Sequence, residues 1–203
     1  MRLLLAAIGI LAASPAVAAP VILVVGDSIS AAHGVAMENG WVARLRQRLA
    51  DRDYPHKVVN ASVGGDTTSG GLSRLPDALA EHRPAVVVIQ LGGNDGLRGQ
   101  PLAAMRENLG EMVALSRDTG ARVLLLGIRL PPNYGPAYTG AFTEVYRKVA
   151  ANRDVPLVPR LLAGVGKRGE FMQEDRIHPN AGGHDRILAN VWPKLTELLE
   201  PAP

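Results

Sequence analysis

Apolar and polar residues alternate in blocks along the chain from residue 21 onward. Mostly apolar runs, typical of strands that are buried on both faces, occupy residues 21–25, 56–61, 85–91, 122–128 and 156–158. Segments with apolar residues three or four positions apart lie between and after these runs, and they predict helices over residues 41–49, 72–82, 101–118, 141–151 and 181–199. Strands that alternate with amphipathic helices favour a parallel sheet covered on both faces.

Right-handed crossovers turn such a sheet into a three-layer α/β/α sandwich, here a single domain over residues 19–203. Five strands in this rhythm fit a flavodoxin-like α/β fold with the strand order 2-1-3-4-5. Ligands of these sheets bind at the carboxyl ends of the strands. Polar, glycine-rich segments follow the first three strands, at residues 26–28, 64–66 and 92–95. The sequence therefore predicts that these segments meet at one edge of the sheet.

The first residues have the features of a secretory signal peptide. Arg2 precedes an apolar run over residues 3–13, and an A-x-A cleavage site follows at residues 16–18. The apolar run is too short to span a bilayer as a helix. We therefore expect residues 1–18 to be removed and the protein to be periplasmic or secreted. A buried first helix and an uncleaved anchor are the alternatives.

Composition excludes several classes of function. The chain has 203 residues and no cysteine, so thiol enzymes, thiolate metal sites and disulfides are excluded. Its net charge is +3 and its charges are interspersed, which argues against a nucleic-acid partner. His178, His184 and Asp185 do not make a convincing metal site, and we expect no metal and no cofactor. We expect a monomer with at most transient contact with a membrane surface.

Ser28 is the first candidate for a reactive side chain. It stands where the apolar run VILVV ends in Gly26-Asp27-Ser28, before a predicted helix N-terminus whose N–H groups can face a developing negative charge. A helix-capping serine fits this stretch equally well.

Two other motifs do not fit the sequence. The nucleophile elbow G-x-S-x-G is excluded because Ser30 occupies the position of its second glycine, and phosphate-binding motifs are absent.

His178 is the best candidate base among the five histidines. Pro179 disfavours helical geometry at His178, so DRIHPN forms a shaped loop in which Asn180 can cap the last helix. Asp175 can curl back to the Nδ1–H of His178, which leaves Nε2 free for a serine. A local turn beside a solvated imidazole is the alternative. Surface or capping roles are expected for the other histidines, which are His33, His56, His82 and His184.

Two further residues can supply donors for an oxyanion. Gly65 offers a backbone N–H at a place where a side chain would obstruct it, and Asn94 offers a side-chain NH₂ from the neighbouring strand. Taken singly, each of them is usually a turn residue. Together with Ser28, Asp175 and His178, they would supply each function that acyl transfer requires.

Four blocks carry a resemblance to a known family. The chain contains, in order, GDSIS, SVGGDT, LGGNDGLRG and DRIHPN. These resemble the signature blocks of the SGNH hydrolases, also called GDSL esterases/lipases. Together with VVNASVGGDT and IRLPPNYG, they are most similar to the periplasmic subgroup of multifunctional acyl-CoA thioesterase I, protease I, lysophospholipase and arylesterase. The resemblance implies a triad of Ser28, His178 and Asp175. It also implies an oxyanion hole made by the N–H groups of Ser28 and Gly65 and the amide of Asn94.

The serine block departs from the family pattern G-D-S-L-S-A-G-Y-G at three positions. Ile29 replaces Leu, which is conservative packing, and Ala32 and His33 replace Gly and Tyr. We expect these last two changes to alter the wall of the pocket rather than the chemistry.

The resemblance implies a serine esterase that hydrolyses ester and thioester bonds of small acyl substrates, of the arylesterase, acyl-CoA thioesterase or lysophospholipase type. It also implies that the loop after Asn94 lies beside the substrate. The expected substrate-binding residues are Asp95, Gly96, Leu97, Arg98, Leu130, Pro131 and Tyr134. Packing of the loops, and for Arg98 simple surface exposure, are the alternatives. An acetyl-glycan deacetylase and a non-catalytic acyl- or glycan-binding module are the competing functions.

Overall fold

The structure is a computed structural model that describes residues 18–166 and 169–199. Apart from Ala18, the predicted signal peptide lies outside the described residues. The strands are β1 (Val21–Gly26), β2 (Lys57–Asn60), β3 (Val86–Gln90), β4 (Arg122–Leu126) and β5 (Leu157–Val158). The α-helices are α1 (Trp41–Ala50), α2 (Thr68–His82), α3 (Gly93–Leu97), α4 (Leu102–Asp118), α5 (Pro136–Arg153) and α6 (Ala181–Thr196).

The five strands form one parallel sheet in the order β2-β1-β3-β4-β5, which confirms the predicted order. β1 lies inside the sheet, where Val24 is in register with Asn60 of β2 and with Val88 of β3. The order reverses between β1 and β3, so their carboxyl ends flank the switch point at which ligands bind in such folds.

The core is aliphatic, as the composition predicts. All residues of β3 are buried, and so are the last five residues of β1. α1 packs against α6, while α4 packs against both α2 and α5, so helices cover the sheet in a three-layer sandwich. Trp41, Phe142 and Tyr146 are the largest side chains in this core, and burial raises the pKa of Tyr146 well above its usual value. None of the helices described here is both long and apolar enough to cross a membrane.

Three local predictions are corrected by the structure. No helix follows Ser28, because residues 27–34 form a series of turns in which Ala32 has a left-handed φ of 59°. α2 begins at Thr68 rather than at residue 72, and the side chain of Thr67 caps it by accepting from the N–H of Gly70. α5 begins at Pro136 rather than at residue 141, directly after Gly135, whose φ is 81°. The short helix α3 was not predicted.

Candidate active site

Hydrogen bonds join the glycine-rich loops at the carboxyl edge of the sheet. The N–H of Val63, after β2, donates to the carbonyl of Gly26 at the end of β1 (3.0 Å). The amide of Asn94, at the start of α3, donates to the carbonyl of Asp66 in the loop after β2 (2.9 Å). The predicted convergence of these three segments is therefore present in the fold.

Ser28, His178 and Asp175 form one hydrogen-bonded line across this edge. Nε2 of His178 lies 2.9 Å from Oγ of Ser28, although the two residues are 150 positions apart. Nδ1 of His178 lies 2.6 Å from Oδ2 of Asp175. The hydrogen bond from His178 lowers the pKa of Asp175 to about 2, so the carboxylate is ionised at neutral pH. An ionised acceptor at Nδ1 favours the tautomer whose Nε2 can accept the proton of Ser28.

The loop that carries Asp175 and His178 is shaped by its own hydrogen bonds. Oδ1 of Asp175 accepts from the N–H groups of Ile177 (2.9 Å) and His178 (3.0 Å). The N–H of Gln173 donates to the carbonyl of His178 (2.8 Å) and closes the loop. Oδ1 of Asn180 accepts from the N–H of Gly183 (3.1 Å), which confirms that Asn180 caps the last helix. The imidazole and its carboxylate are thus oriented together by local structure.

Asp27 supports the turn that holds Ser28. Its side chain is 2% exposed, and Oδ1 accepts from the N–H of Ile29 (3.0 Å) and from Nε2 of Gln90 (3.0 Å). Burial raises the pKa of Asp27 to about 6, against the opposing effect of these hydrogen bonds. Asp27 lies outside the line formed by Ser28, His178 and Asp175, and its hydrogen bonds stabilise the turn.

A buried polar network behind Ser28 was not predicted. Nε1 of Trp41 donates to Oγ of Ser30 (3.1 Å), and that hydroxyl donates to Oε1 of Gln90 (2.6 Å). Gln90 in turn donates to Asp27, so the network links α1 and β3 to the turn. A Cβ on Gly26 would lie 2.7 Å from Oγ of Ser30 and 2.9 Å from Oε1 of Gln90, which explains the glycine. Nothing in the linear sequence marks these four groups as partners.

The donors expected for an oxyanion are present at the same edge. Across the described residues, the N–H groups of Ser28 and Gly65 donate to no other group of the chain. Gly65 has a φ of 77°, which favours glycine at this position. Asn94 uses one amide proton on the carbonyl of Asp66 and retains the other. Arg98, the residue that follows α3, donates to the carbonyl of Gly65 (3.0 Å), so Asn94 and Arg98 bind two successive carbonyls of this loop.

Arg74 also has a role at this edge that was not predicted. Its Nε lies 2.8 Å from Oδ2 of Asp66, and its other nitrogens donate to the carbonyls of Gly26 (3.3 Å) and Ala61. The guanidinium therefore ties the end of β1 to both ends of the loop after β2. A lone arginine in a predicted helix carries no sequence signal of this role.

The residues predicted to contact substrate occupy different environments. Asp95 is 1% exposed, and its carboxylate accepts from the N–H (2.9 Å) and from the hydroxyl of Thr68 at the start of α2. This burial conflicts with the predicted place of Asp95 beside the substrate. Gly96 is also buried, and a Cβ there would lie 2.5 Å from Phe142 and 2.8 Å from Leu130, which is itself buried. These residues pack the interior behind the site.

The other predicted contact residues remain accessible. Leu97, Pro131 and Tyr134 are partly buried and Arg98 is exposed. The hydroxyl of Tyr134 donates to the carbonyl of Leu97 (3.0 Å), and that of Tyr138 donates to the carbonyl of Gly96 (3.2 Å). The loop after β4 and the start of α5 thereby hold the end of α3 in place.

Two of the four remaining histidines lie in the interior rather than at the surface. His56 and His184 are buried, which corrects the surface role expected of them but does not contradict a capping role. His82 is partly buried at the end of α2. His33 is exposed, and its ring centroid lies 4.5 Å from that of His178. Of the described residues, no group of three His, Asp or Glu side chains is arranged to hold a metal ion.

His184 makes stability depend on pH. Its side chain is 0% exposed, Nδ1 accepts from the N–H of Trp41 (3.2 Å), and burial lowers its pKa from 6.5 to about 4. Between these values the unfolded chain binds a proton that the folded protein does not, so stability is lost as the pH falls through this range. We expect the wild type to lose on the order of 2 kcal/mol of unfolding free energy through His184 on acidification. His184→Asn should not show this loss, since asparagine does not titrate and still provides an acceptor for Trp41. Urea unfolding at about pH 7.5 and pH 4.5 measures this difference.

The titration of Asp27 does not affect that comparison. Its raised pKa shifts stability in the opposite direction, but it is present in both proteins and cancels between them. Equal pH dependence in the wild type and in His184→Asn would contradict the assignment to His184.

The chain is similar in sequence and in structure to known proteins. A model of the GDSL-like Lipase/Acylhydrolase family matches residues 24–186. The chain is 57% identical to Esterase TesA of Pseudomonas aeruginosa over 182 residues (90% of each chain). It is 40% identical to Thioesterase 1/protease 1/lysophospholipase L1 of Escherichia coli (strain K12) over 184 residues (91% of this chain and 87% of that protein). A crystal structure of TesA superimposes with a TM-score of 0.87 at 57% identity (88% of this chain and 99% of that one). The chain therefore belongs to the GDSL-like lipase/acylhydrolase family.

Proposed function

We propose that this protein is a serine hydrolase that cleaves ester and thioester bonds of acyl substrates through Ser28, His178 and Asp175. The observation that carries the proposal is the line from Oγ of Ser28 to Nε2 of His178 (2.9 Å) and from Nδ1 to Asp175 (2.6 Å). Family membership and the names of the relatives, an esterase and a thioesterase/lysophospholipase, support the same class of reaction.

The reaction proceeds through an acyl-enzyme. Nε2 of His178 takes the proton of Ser28 while Oγ attacks the carbonyl carbon, and Asp175 stabilises the resulting imidazolium. The N–H groups of Ser28 and Gly65 and the second amide proton of Asn94 hold the negative oxygen. His178 then gives its proton to the leaving alcohol or thiol as the carbon–oxygen or carbon–sulfur bond breaks. Water attacks the acyl-enzyme with His178 again as the base.

The acyl chain lies along the accessible residues beside Asn94. The hydroxyl of Tyr134 donates to the carbonyl of Leu97, so these two residues form one fixed wall. Pro131 extends this wall from the loop after β4, and Arg98 lies exposed at its polar end. An apolar wall favours longer acyl chains because each buried methylene contributes about 0.8 kcal/mol.

A chain-length series on one purified preparation tests the proposal. We expect p-nitrophenyl esters, acyl-CoA thioesters and lysophospholipids to be hydrolysed, with kcat/KM rising up to about fourfold for each methylene that the wall buries. Activity confined to acetylated sugars would instead identify a deacetylase. Binding of acyl chains without release of any product would identify a non-catalytic module.

We further propose that the mature protein is exported. The proposal rests on Arg2, the apolar run over residues 3–13 and the A-x-A site at residues 16–18. Amino-terminal sequencing of the exported protein should begin at Ala19. An uncleaved Met1 on the exported protein would contradict it.

A further inference from the structure

The side-chain amide of Gln173 joins two loops of the site. Its Nε2 donates to the carbonyl of His33 (2.7 Å) and to the carbonyl of Pro179 (2.9 Å). His33 belongs to the turn that carries Ser28, and its own N–H donates to the carbonyl of Ser28 (3.0 Å). Pro179 directly follows His178. One amide group therefore contacts the backbone on both the serine side and the histidine side of the site.

Within the described part of the chain, one other hydrogen bond connects these two loops. In the described structure, two hydrogen bonds connect residues 27–34 with residues 171–180. One joins Ser28 to His178 and is broken whenever the serine is acylated. The other joins Gln173 to His33 and takes no part in bond making. Because Asp175 orients His178 within its own loop, it cannot set the distance from that loop to Ser28.

The backbone at Gly34 leaves space for this amide. A Cβ on Gly34 would lie 2.1 Å from Oε1 of Gln173 and 2.8 Å from its Cδ and Nε2. Gly34 also has a φ of 73°, a conformation that favours glycine. A side chain at residue 34 would displace the Gln173 amide from the carbonyl of His33.

We propose that Gln173 is a positioning residue that holds the imidazole of His178 at reacting distance from Ser28, an inference that rests on the proposed function. It keeps the two loops in register after the Ser28–His178 hydrogen bond has been broken, so that His178 is in place to activate water for deacylation. The ring centroid of His33 lies 4.5 Å from that of His178, so the residue whose carbonyl Gln173 binds also lies beside the imidazole.

Gln173→Met tests this role because methionine has similar length and no donor. We expect kcat for a p-nitrophenyl ester to fall by about tenfold to a hundredfold, with KM within about twofold, because small misplacements of reacting groups have effects of this size. The rate at which an organophosphonate modifies Ser28 should fall in parallel. Gln47→Met is the matched control, since Gln47 lies exposed on α1 and donates to Asp51 (2.7 Å).

A double-mutant cycle and a spectroscopic measurement separate positioning from folding. If Gly34→Ala acts by displacing the amide, its effect on kcat should be largely absent in the Gln173→Met background. The low-field Nδ1–H resonance of His178 should persist in Gln173→Met, because its bond to Asp175 is local. Loss of that resonance, or a kcat that falls only as far as the folded fraction falls, would show that Gln173 merely shapes its own loop and would overturn the inference.

Failure of this inference is distinguishable from failure of the proposed function. Unchanged kcat and unchanged phosphonylation of Ser28 in Gln173→Met would overturn the positioning role and leave the serine mechanism intact. Phosphonylation of the wild type at a residue other than Ser28 would overturn both.

Discussion

Ser28→Ala should lower kcat for ester hydrolysis by about 10⁴- to 10⁶-fold, since the acyl-enzyme cannot form without Oγ and the members of such a line act as a unit. The folded protein should be unaffected, because the hydroxyl is only partly buried and, among the residues that the structure describes, its hydrogen bond is to His178. Turnover of a p-nitrophenyl ester measures the effect. Mass spectrometry after treatment with an organophosphonate should find the adduct on Ser28 in the wild type and none in the variant.

Ser69→Ala is the control for this experiment, because Ser69 is exposed on α2. It should retain both turnover and labelling. An adduct at another serine in the Ser28→Ala variant, together with residual turnover near that of the wild type, would contradict the assignment of the nucleophile.

Asn94→Ala should lower kcat by about 10²- to 10³-fold with little change in KM, as expected for a donor whose hydrogen bond strengthens in the transition state. The substitution also removes the hydrogen bond to the carbonyl of Asp66, so it loosens the loop that presents Gly65. Asn94→Asp should be at least as damaging, because it places a carboxylate where the negative oxygen develops. Steady-state kinetics on one ester measures kcat and KM separately.

Asn190→Ala separates oxyanion stabilisation from general loop support. The amide of Asn190 holds the carbonyls of Leu161 (2.8 Å) and Ala163 (2.9 Å) in the loop after β5. Its removal should lower the stability of the fold and leave kcat nearly unchanged. Near-wild-type activity of Asn94→Ala would remove Asn94 from the proposed role.

Backbone organisation could be predicted where the signal is periodic. Continuous apolar runs are required for strands covered on both faces, and the helical spacing between and after them indicated the five longer α-helices and their order along the chain. The loops after β1, β2 and β3 could be placed together because parallel strands end at the same edge. Asp175 and His178 could be paired because three residues separate them and Pro179 prevents a helix at His178.

Predictions made from neighbours in sequence were wrong where tertiary packing decides. A helix after Ser28 was expected, but Ala32 turns the chain into a left-handed conformation there. The family resemblance placed Asp95, in the segment after Asn94, beside the substrate, yet its carboxylate accepts from the N–H of Thr68 in the interior. A surface or capping role was expected for His184, but its side chain is buried and accepts from the N–H of Trp41, 143 residues away.

Apolar periodicity specifies burial and element type locally, and from these follow the sandwich, its strand order and the edge at which chemistry can take place. Polar partnerships depend on which distant segments that sheet brings within hydrogen-bonding distance, so the roles of Arg74, Gln90 and Gln173 became visible only in three dimensions. A hydrogen bond forms only when the distance between donor and acceptor is correct to within a few tenths of an ångström. The spacing of residues along the chain does not determine the distances between remote segments that folding brings together.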